Sequence, residues 1–225
     1  MNPTETTLRQ LEDFIQQQTQ QWATEYLRMS WAEMIYLYGG QELRFRDFCC
    51  APRWDLAQST LFMESLLLGL PTAPLVCVSD GAGCWELVDG LQRMICILGF
   101  FGQLRDEDVR AITAEVTSKT LGTSFSQGQA HSQGQAHAVL GNNTLGNNTL
   151  GNNMLGNYWS LAAGSMLPLL EGLNIKNLST KLSLNLKRSS ITVIVVEAKG
   201  CEYNLRQDLF LRFNSPWLQD LHQPD

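Results

Sequence analysis

Ile191-Thr192-Val193-Ile194-Val195-Val196 is a nearly unbroken β-branched apolar run, and it constrains the fold more than any other stretch of the chain. A second heavy atom on Cβ narrows χ1 and favours extended backbone. With so little polar alternation, the run predicts a strand buried on both faces rather than a half-solvated one. The rest of the sequence must supply strands to pair with it and helices to cover it.

Those elements are legible in outline. Leu8, Leu11, Phe14, Ile15, Trp22, Tyr26 and Leu27 recur near helical spacing, so residues 1–40 are expected to be a helical segment that Gly39-Gly40 ends. Its glutamine-rich side, Gln16 to Gln21, reads as a solvated face. Glu42 to Phe48 fits a short strand. Asp55 can cap the next helix, with Gln58 returning the bond. Leu61, Phe62, Ser65 and Leu66 form its face, and Gly69 followed by Pro71 ends it. Leu75 to Val78, the turn residues Asp80-Gly81-Ala82-Gly83, and Trp85 to Val88 predict a β-hairpin. Asp89-Gly90 then opens an amphipathic helix along Leu91, Met94, Ile95, Leu98 and Phe101. Leu182, Leu184 and Leu186 alternate with polar residues as in a strand, while Leu178, Leu182 and Leu186 fit a helical stripe equally well. A last helix is expected from about Leu205 to Phe213.

Between about Ser118 and Gly164 the composition changes. Ser126-Gln127-Gly128-Gln129-Ala130-His131 repeats at 132–137, and Leu140-Gly141-Asn142-Asn143-Thr144 repeats at 145 and, with Met154, at 150. A pentapeptide solenoid needs several stacked turns and a cap, and glycine and asparagine bury little. The Gly/Asn/Gln/Ser content favours an inserted loop. His131 and His137 have no carboxylate or thiolate beside them, so no metal site is expected there.

A chain of 225 residues holds one ordinary core, or one core with a small appendage. Sixteen basic against twenty-two acidic residues give a net charge of −6, which argues against a broad face for gripping nucleic-acid backbones. That balance, and the lack of a helix-turn-helix rich in lysine, disfavours a stand-alone DNA-binding factor. No apolar run approaches the roughly 20 residues of a membrane span. Met1 to Glu5 lacks the basic and apolar pattern of a secretory signal. The six cysteines (49, 50, 77, 84, 96 and 201) include no CxxC pair, and reduced thiols in a cytoplasmic protein without structural zinc are expected.

Asp89-Gly90-Leu91-Gln92-Arg93 is the segment that can carry chemistry. Gly90 permits a sharp turn from strand to helix. A helix start exposes unpaired N–H groups at a positive dipole end, a natural seat for phosphate. On a helical wheel Gln92 and Arg93 point away from the apolar stripe, and arginine offers a planar fork to phosphate oxygens. Asp89 can hold magnesium or a ribose hydroxyl, or simply cap the helix. Taken from spacing alone, a capped surface helix with a solvated arginine explains the same residues.

A longer order of motifs goes further. Trp54-Asp55, then Met63-Glu64-Ser65-Leu66-Leu67-Leu68-Gly69-Leu70-Pro71-Thr72-Ala73-Pro74, then Glu86-Leu87-Val88-Asp89-Gly90-Leu91-Gln92-Arg93 resembles the N-terminal domain of GmrSD-type restriction endonucleases. Ile191 to Val196 followed by Phe210-Leu211-Arg212-Phe213-Asn214 is similar to that family's apolar strand and its F-x-R-x-N element. The resemblance spans about residues 42–105 and 178–215. It implies an α+β, ParB/sulfiredoxin-like fold: a small mixed sheet with flanking helices, interrupted here by the repeat insertion. The implied organisation is an N-terminal helical segment at 1–40, a first part of the domain at 41–117, the insertion at 118–164, and a second, shortened part at 165–225.

The resemblance also implies a function. Asp89, Gly90, Gln92 and Arg93 would form a nucleotide turn, with Asp89 and Arg93 catalytic, and Arg212 and Asn214 would complete the pocket. The cofactor would be a nucleoside triphosphate with magnesium, its turnover coupled to a separately encoded DNA nuclease in phage defence. DNA would be met only through that partner, and no membrane is involved. Three features depart from the family pattern. Leu91 stands where the family has glutamine, and Cys49 and Cys50 stand at its glutamine and arginine positions. The chain stops near Asp225 without the nuclease half, which His131, His137 and His222 cannot rebuild. These departures keep open a degenerate, non-catalytic interaction module that docks a partner through Trp22, Tyr26 and Trp31. Sulfiredoxin-like chemistry at Cys49-Cys50 is disfavoured, because the turn itself carries no thiol.

Overall fold

The computed structural model describes residues 5–45, 54–110, 157–198 and 205–214. The repeat copies at 126–156 and the Cys49-Cys50 pair lie outside them. The fold is mixed α+β, a five-stranded sheet with flanking helices. In chain order the elements are α1 (Glu5–Thr19), β1 (Trp22–Ser30), α2 (Trp31–Gly39), β2 (Leu43–Phe45), α3 (Leu56–Leu68), β3 (Leu75–Ser79), β4 (Trp85–Asp89) and α4 (Leu91–Phe100). A helical segment at 106–110, α5, follows. A 3-10 turn at Pro168–Leu170, α6 (Thr180–Arg188), β5 (Ser190–Ala198) and α7 (Leu205–Asn214) complete the list. Among the described residues no helix is long and apolar enough to cross a membrane.

The chain forms two compact units from interleaved segments: Met1–Arg46, Pro71–Leu91 and Lys187–Asp225 in one, Asp47–Leu70 and Gln92–Leu186 in the other. The first unit carries the whole sheet, in the order β1-β5-β3-β4-β2. β5 runs antiparallel to β1 over nine residue pairs, from Trp22 opposite Ala198 to Ser30 opposite Ser190, and parallel to β3. β3 and β4 form the expected hairpin. Its turn is closed by Asp80, whose Oδ1 accepts from the N–H groups of Ala82 and Cys84. β2 adds in parallel to β4.

Two expectations change here. The β5 run is covered on both faces only in part: Ile191, Val193 and Val195 are buried on one face and Val196 on the other, but Thr192 is exposed and Ile194 half-exposed. Thr192 and Ile194 lie opposite Arg28 and Tyr26, both exposed, so this end of the sheet has one open face. Nor does a helix continue through 40. Trp22 to Ser30 becomes β1, because pairing all nine residues with β5 outweighs a loose helical spacing built partly on β-favouring Trp, Thr and Tyr. Helix resumes at α2, where Ser30 and Glu33 form a reciprocal capping box. Trp31, Met34 and Tyr38 give α2 its buried side, and Tyr38 stacks on Phe45 with ring centroids 5.0 Å apart.

In the second unit, the Asp55–Gln58 capping box starts α3 and Gly69, at φ +70°, ends it. The Leu182–Leu186 stretch is helical, as α6, with Leu186 its buried residue. Trp159 is buried and its Nε1 donates to the Cys96 carbonyl. Residues 157–164, at the end of the expected insertion, pack into this unit. The strongest polar feature is Glu64 on α3, only 3% exposed. Its carboxylate accepts from the backbone N–H groups of Met166 and Leu167 and from the Ser165 hydroxyl. Burial opposes its charge, but these donors prevail and hold its pKa below the ordinary 4.5. The loop approaches so closely that a Cβ on Gly164 would sit 2.3 Å from Glu64 Oε1 and 2.9 Å from the Leu167 carbonyl oxygen.

Gly164→Ala should therefore lower stability by about 1–3 kcal/mol, read as a shift in the urea midpoint. Glu64 gives a pH test whose sign is fixed. A depressed pKa contributes stability above the unfolded value near 4.5 and loses it as pH falls through the folded value. Between pH 6 and pH 3 the wild-type urea midpoint should fall more steeply than that of Glu64→Gln, which has no carboxylate to protonate.

Candidate functional site

The Asp89–Arg93 segment sits where β4 becomes α4. Asp89 is the last residue of β4, in register with Val76 of β3, and is half-buried. Gly90 is buried at φ +100°, a conformation that L side chains rarely adopt. Leu91 begins α4, and Gln92 and Arg93 lie in its first turn. The N–H groups of Leu91, Gln92 and Arg93 lie in this first turn, at the positive end of the helix dipole.

The side chains of this turn are less open than a helical wheel suggests. From Met94 to Phe100 every residue of α4 is buried, so the helix is enclosed rather than amphipathic. Gln92 and Arg93 are both half-buried, and the Nε of Arg93 is shielded from solvent. Gln92 is not free to swing: its Oε1 accepts from the Trp54 N–H at 3.3 Å, tying α4 to the start of α3. Trp54 in turn lies against Phe62, with ring centroids 5.4 Å apart. The tryptophan of the motif thus meets the glutamine of the turn through its backbone.

The two residues expected from the C-terminal motif lie on α7, which packs against β4. Arg212 is on α7 and exposed, while the Asn214 side chain lies outside the described residues. The arginine that docks α7 is another one. Arg206, one turn and a half earlier, makes an ion pair with Glu86 of β4, both side chains largely buried. Leu205, Arg206, Leu209 and Phe210 form the inner side of α7, which leaves Arg212 on the outer. Sequence reasoning missed Arg206 because nothing local marks it; its partner comes from a strand more than a hundred residues away.

Of the three described cysteines, Cys77 and Cys96 are enclosed and Cys84 is half-buried. Burial pushes the Cys77 thiol up to about 12 and raises that of Cys96 as well, whose sulfur points to the Ser59 carbonyl. Neither is a nucleophile at neutral pH. Among the described residues no three His, Cys, Asp or Glu side chains gather in a way that could hold a metal ion. Comparison with protein-family models, curated proteins and solved structures found no match to this chain.

Replacing Gly90 tests the backbone of the turn. Gly90→Ala must hold a side chain at φ +100° and should cost about 1–3 kcal/mol in chemical denaturation, with the far-UV spectrum unchanged. In the native protein Cys77 and Cys96 should resist iodoacetamide and become labelled only on unfolding, which peptide mass mapping would reveal.

Proposed function

We propose that this chain is a nucleotide-binding module of ParB/sulfiredoxin-like fold. It takes a magnesium-bound nucleoside triphosphate at the β4–α4 turn and works with a separately encoded nuclease against foreign DNA. One observation carries the proposal: a strand ending in a carboxylate, a buried glycine at φ +100°, and a helix whose first turn bears an arginine. The residues present fit such a ligand. The first amides of α4 and the Arg93 guanidinium suit phosphate oxygens, and Asp89 suits magnesium or a ribose hydroxyl. Gln92 keeps the helix start fixed through Trp54. The bound triphosphate would supply the phosphoanhydride bond whose hydrolysis drives the partner. Arg212 and Asn214 enter through the family resemblance, as a second contact from α7. A net charge of −6 suits a module that meets DNA only through its nuclease.

A second reading is favoured by a specific feature. Of the residues expected to dock a partner, Trp31 is fully buried in α2 and Trp22 half-buried, leaving Tyr26 exposed; α1 instead buries no residue and leaves Leu8, Leu11, Phe14 and Ile15 outside, as an interaction module without a ligand would.

Titration calorimetry with magnesium and each of the four ribonucleoside triphosphates separates the two. Binding should appear with at least one, and Arg93→Ala should weaken it about 10–100-fold through loss of a charge-assisted bidentate contact. Arg93→Lys should fall between, with thermal melts showing that both variants stay folded. No heat with any of the four removes the nucleotide reading. A stoichiometric partner that co-purifies equally with Arg93→Ala points to the interaction module.

A further inference from the structure

The two edges of the sheet are built very differently. β2, at one edge, has three residues, too short to template another strand. β1, at the other, has nine, paired with β5 without a bulge, and its sequence WATEYLRMS contains no Pro, Gly or Lys. Among the described residues nothing pairs with its outer side. Long regular edges are normally blunted by a bulge, a proline or an inward-pointing charge. β1 has neither a bulge nor a proline; its two charges, Glu25 on the face of Leu27 and Met29 but itself exposed, and Arg28 on the open face, are opposite in sign.

The register says which backbone groups face outward. Trp31 N–H donates to the Ser189 carbonyl, one step beyond the Ser30–Ser190 pair. Hydrogen-bonded and non-bonded pairs alternate along an antiparallel ladder. The odd-numbered residues of β1 are therefore bonded to β5, and Thr24, Tyr26 and Arg28 turn their N–H and C=O groups outward. Tyr26, at the middle of the strand, is 73% exposed.

We infer that β1 is a homodimer edge: a second copy of the chain adds to it antiparallel about a two-fold axis at Tyr26, joining two five-stranded sheets. A two-fold pairing requires self-complementarity, and β1 meets it. Centred on Tyr26, the strands overlap over their whole length. Tyr26 then faces Tyr26 of the second copy, Thr24 faces Arg28, and Glu25 faces Leu27, so no like charges are opposed. About six backbone hydrogen bonds form from the outward groups at 24, 26 and 28. α1 ends just before this strand and is a 15-residue helix with no buried residue, a length that is marginal alone in water. Its stripe of Leu8, Leu11, Phe14 (58% exposed) and Ile15, directly before the strand in sequence, is apolar surface that a second copy can cover, toward the roughly 800 Å² per partner that a stable interface buries.

Sedimentation velocity of the full chain tests this. The wild type should sediment as a dimer. Tyr26→Pro removes the central outward N–H while sparing every β1–β5 bond, so it should weaken dimerisation about 10–100-fold with an unchanged far-UV spectrum. Tyr26→Lys, which blunts the edge without touching the backbone, should act in the same direction. Under mild oxidation Tyr26→Cys should cross-link to its own counterpart, the Cα atoms being about 5.5 Å apart in such a pair. Thr24→Cys, displaced four residues from its counterpart, should not. A wild type that stays monomeric at its highest soluble concentration overturns the inference. So does a dimer unaffected by both Tyr26 variants, which would place the interface on another surface.

Discussion

The pairing of β5 with both β1 and β3 is the constraint on which the sheet-bearing unit depends. β5 comes late in the sequence, yet it is the strand that joins an N-terminal strand to the central hairpin. Antiparallel on one side and parallel on the other, it satisfies its backbone in both directions. Its side chains explain why this run is so apolar. Ile191, Val193 and Val195 line the buried face next to Leu27 and Met29, and β3 beside it is buried from Leu75 to Val78. Breaking that strand would separate β1 from the rest of the sheet and leave the hairpin with an open edge.

The second unit is organised around a buried charge as well as an apolar core. A carboxylate that is nearly inaccessible would ordinarily be neutralised or excluded. Glu64 stays ionised because two amides and a hydroxyl from one loop converge on it. Thr60, one turn earlier on α3, accepts from the Ala162 N–H in the same manner. The segment after residue 157 is thus held to α3 by successive hydrogen bonds, with Trp159 inserted against Phe100 and bonded to Cys96. Such a network specifies a loop path as well as adding stability, since it is satisfied only when these donors converge on α3.

Much of the local structure was legible in the residues. The Asp55–Gln58 cap, the Asp80–Gly83 turn and the Gly69 stop act through neighbours in sequence, and a local cause leaves a local signature. What was not legible came from distant partners. Trp22 to Ser30 carried a helical spacing, and only nine pairs with β5 make it a strand. Leu182 to Leu186 suited both periods, and the burial of Leu186 decides for helix. Glu64 looked like part of a motif, and its loop lies about a hundred residues on. The Ser30–Glu33 box was present to be read, and would have marked the strand-to-helix change at residue 30.

These contacts also divide the motif residues by role. Asp55, Glu64 and Gly69 have structural employment that accounts for their identity: a cap, a buried acceptor and a left-handed stop. Gln92 joins them through Trp54. A resemblance resting on such residues speaks first to fold, because any chain with this helix and loop would favour them. Gly90 belongs to the fold as well, since its φ demands glycine whatever binds there. The chemistry of the proposal is thereby concentrated on the Asp89 carboxylate, the Arg93 guanidinium and the amides that follow Gly90. With Leu91 in place of a polar residue, recognition at this turn falls mainly on backbone donors and one cation, a combination that grips phosphate charge and shape more than any particular base.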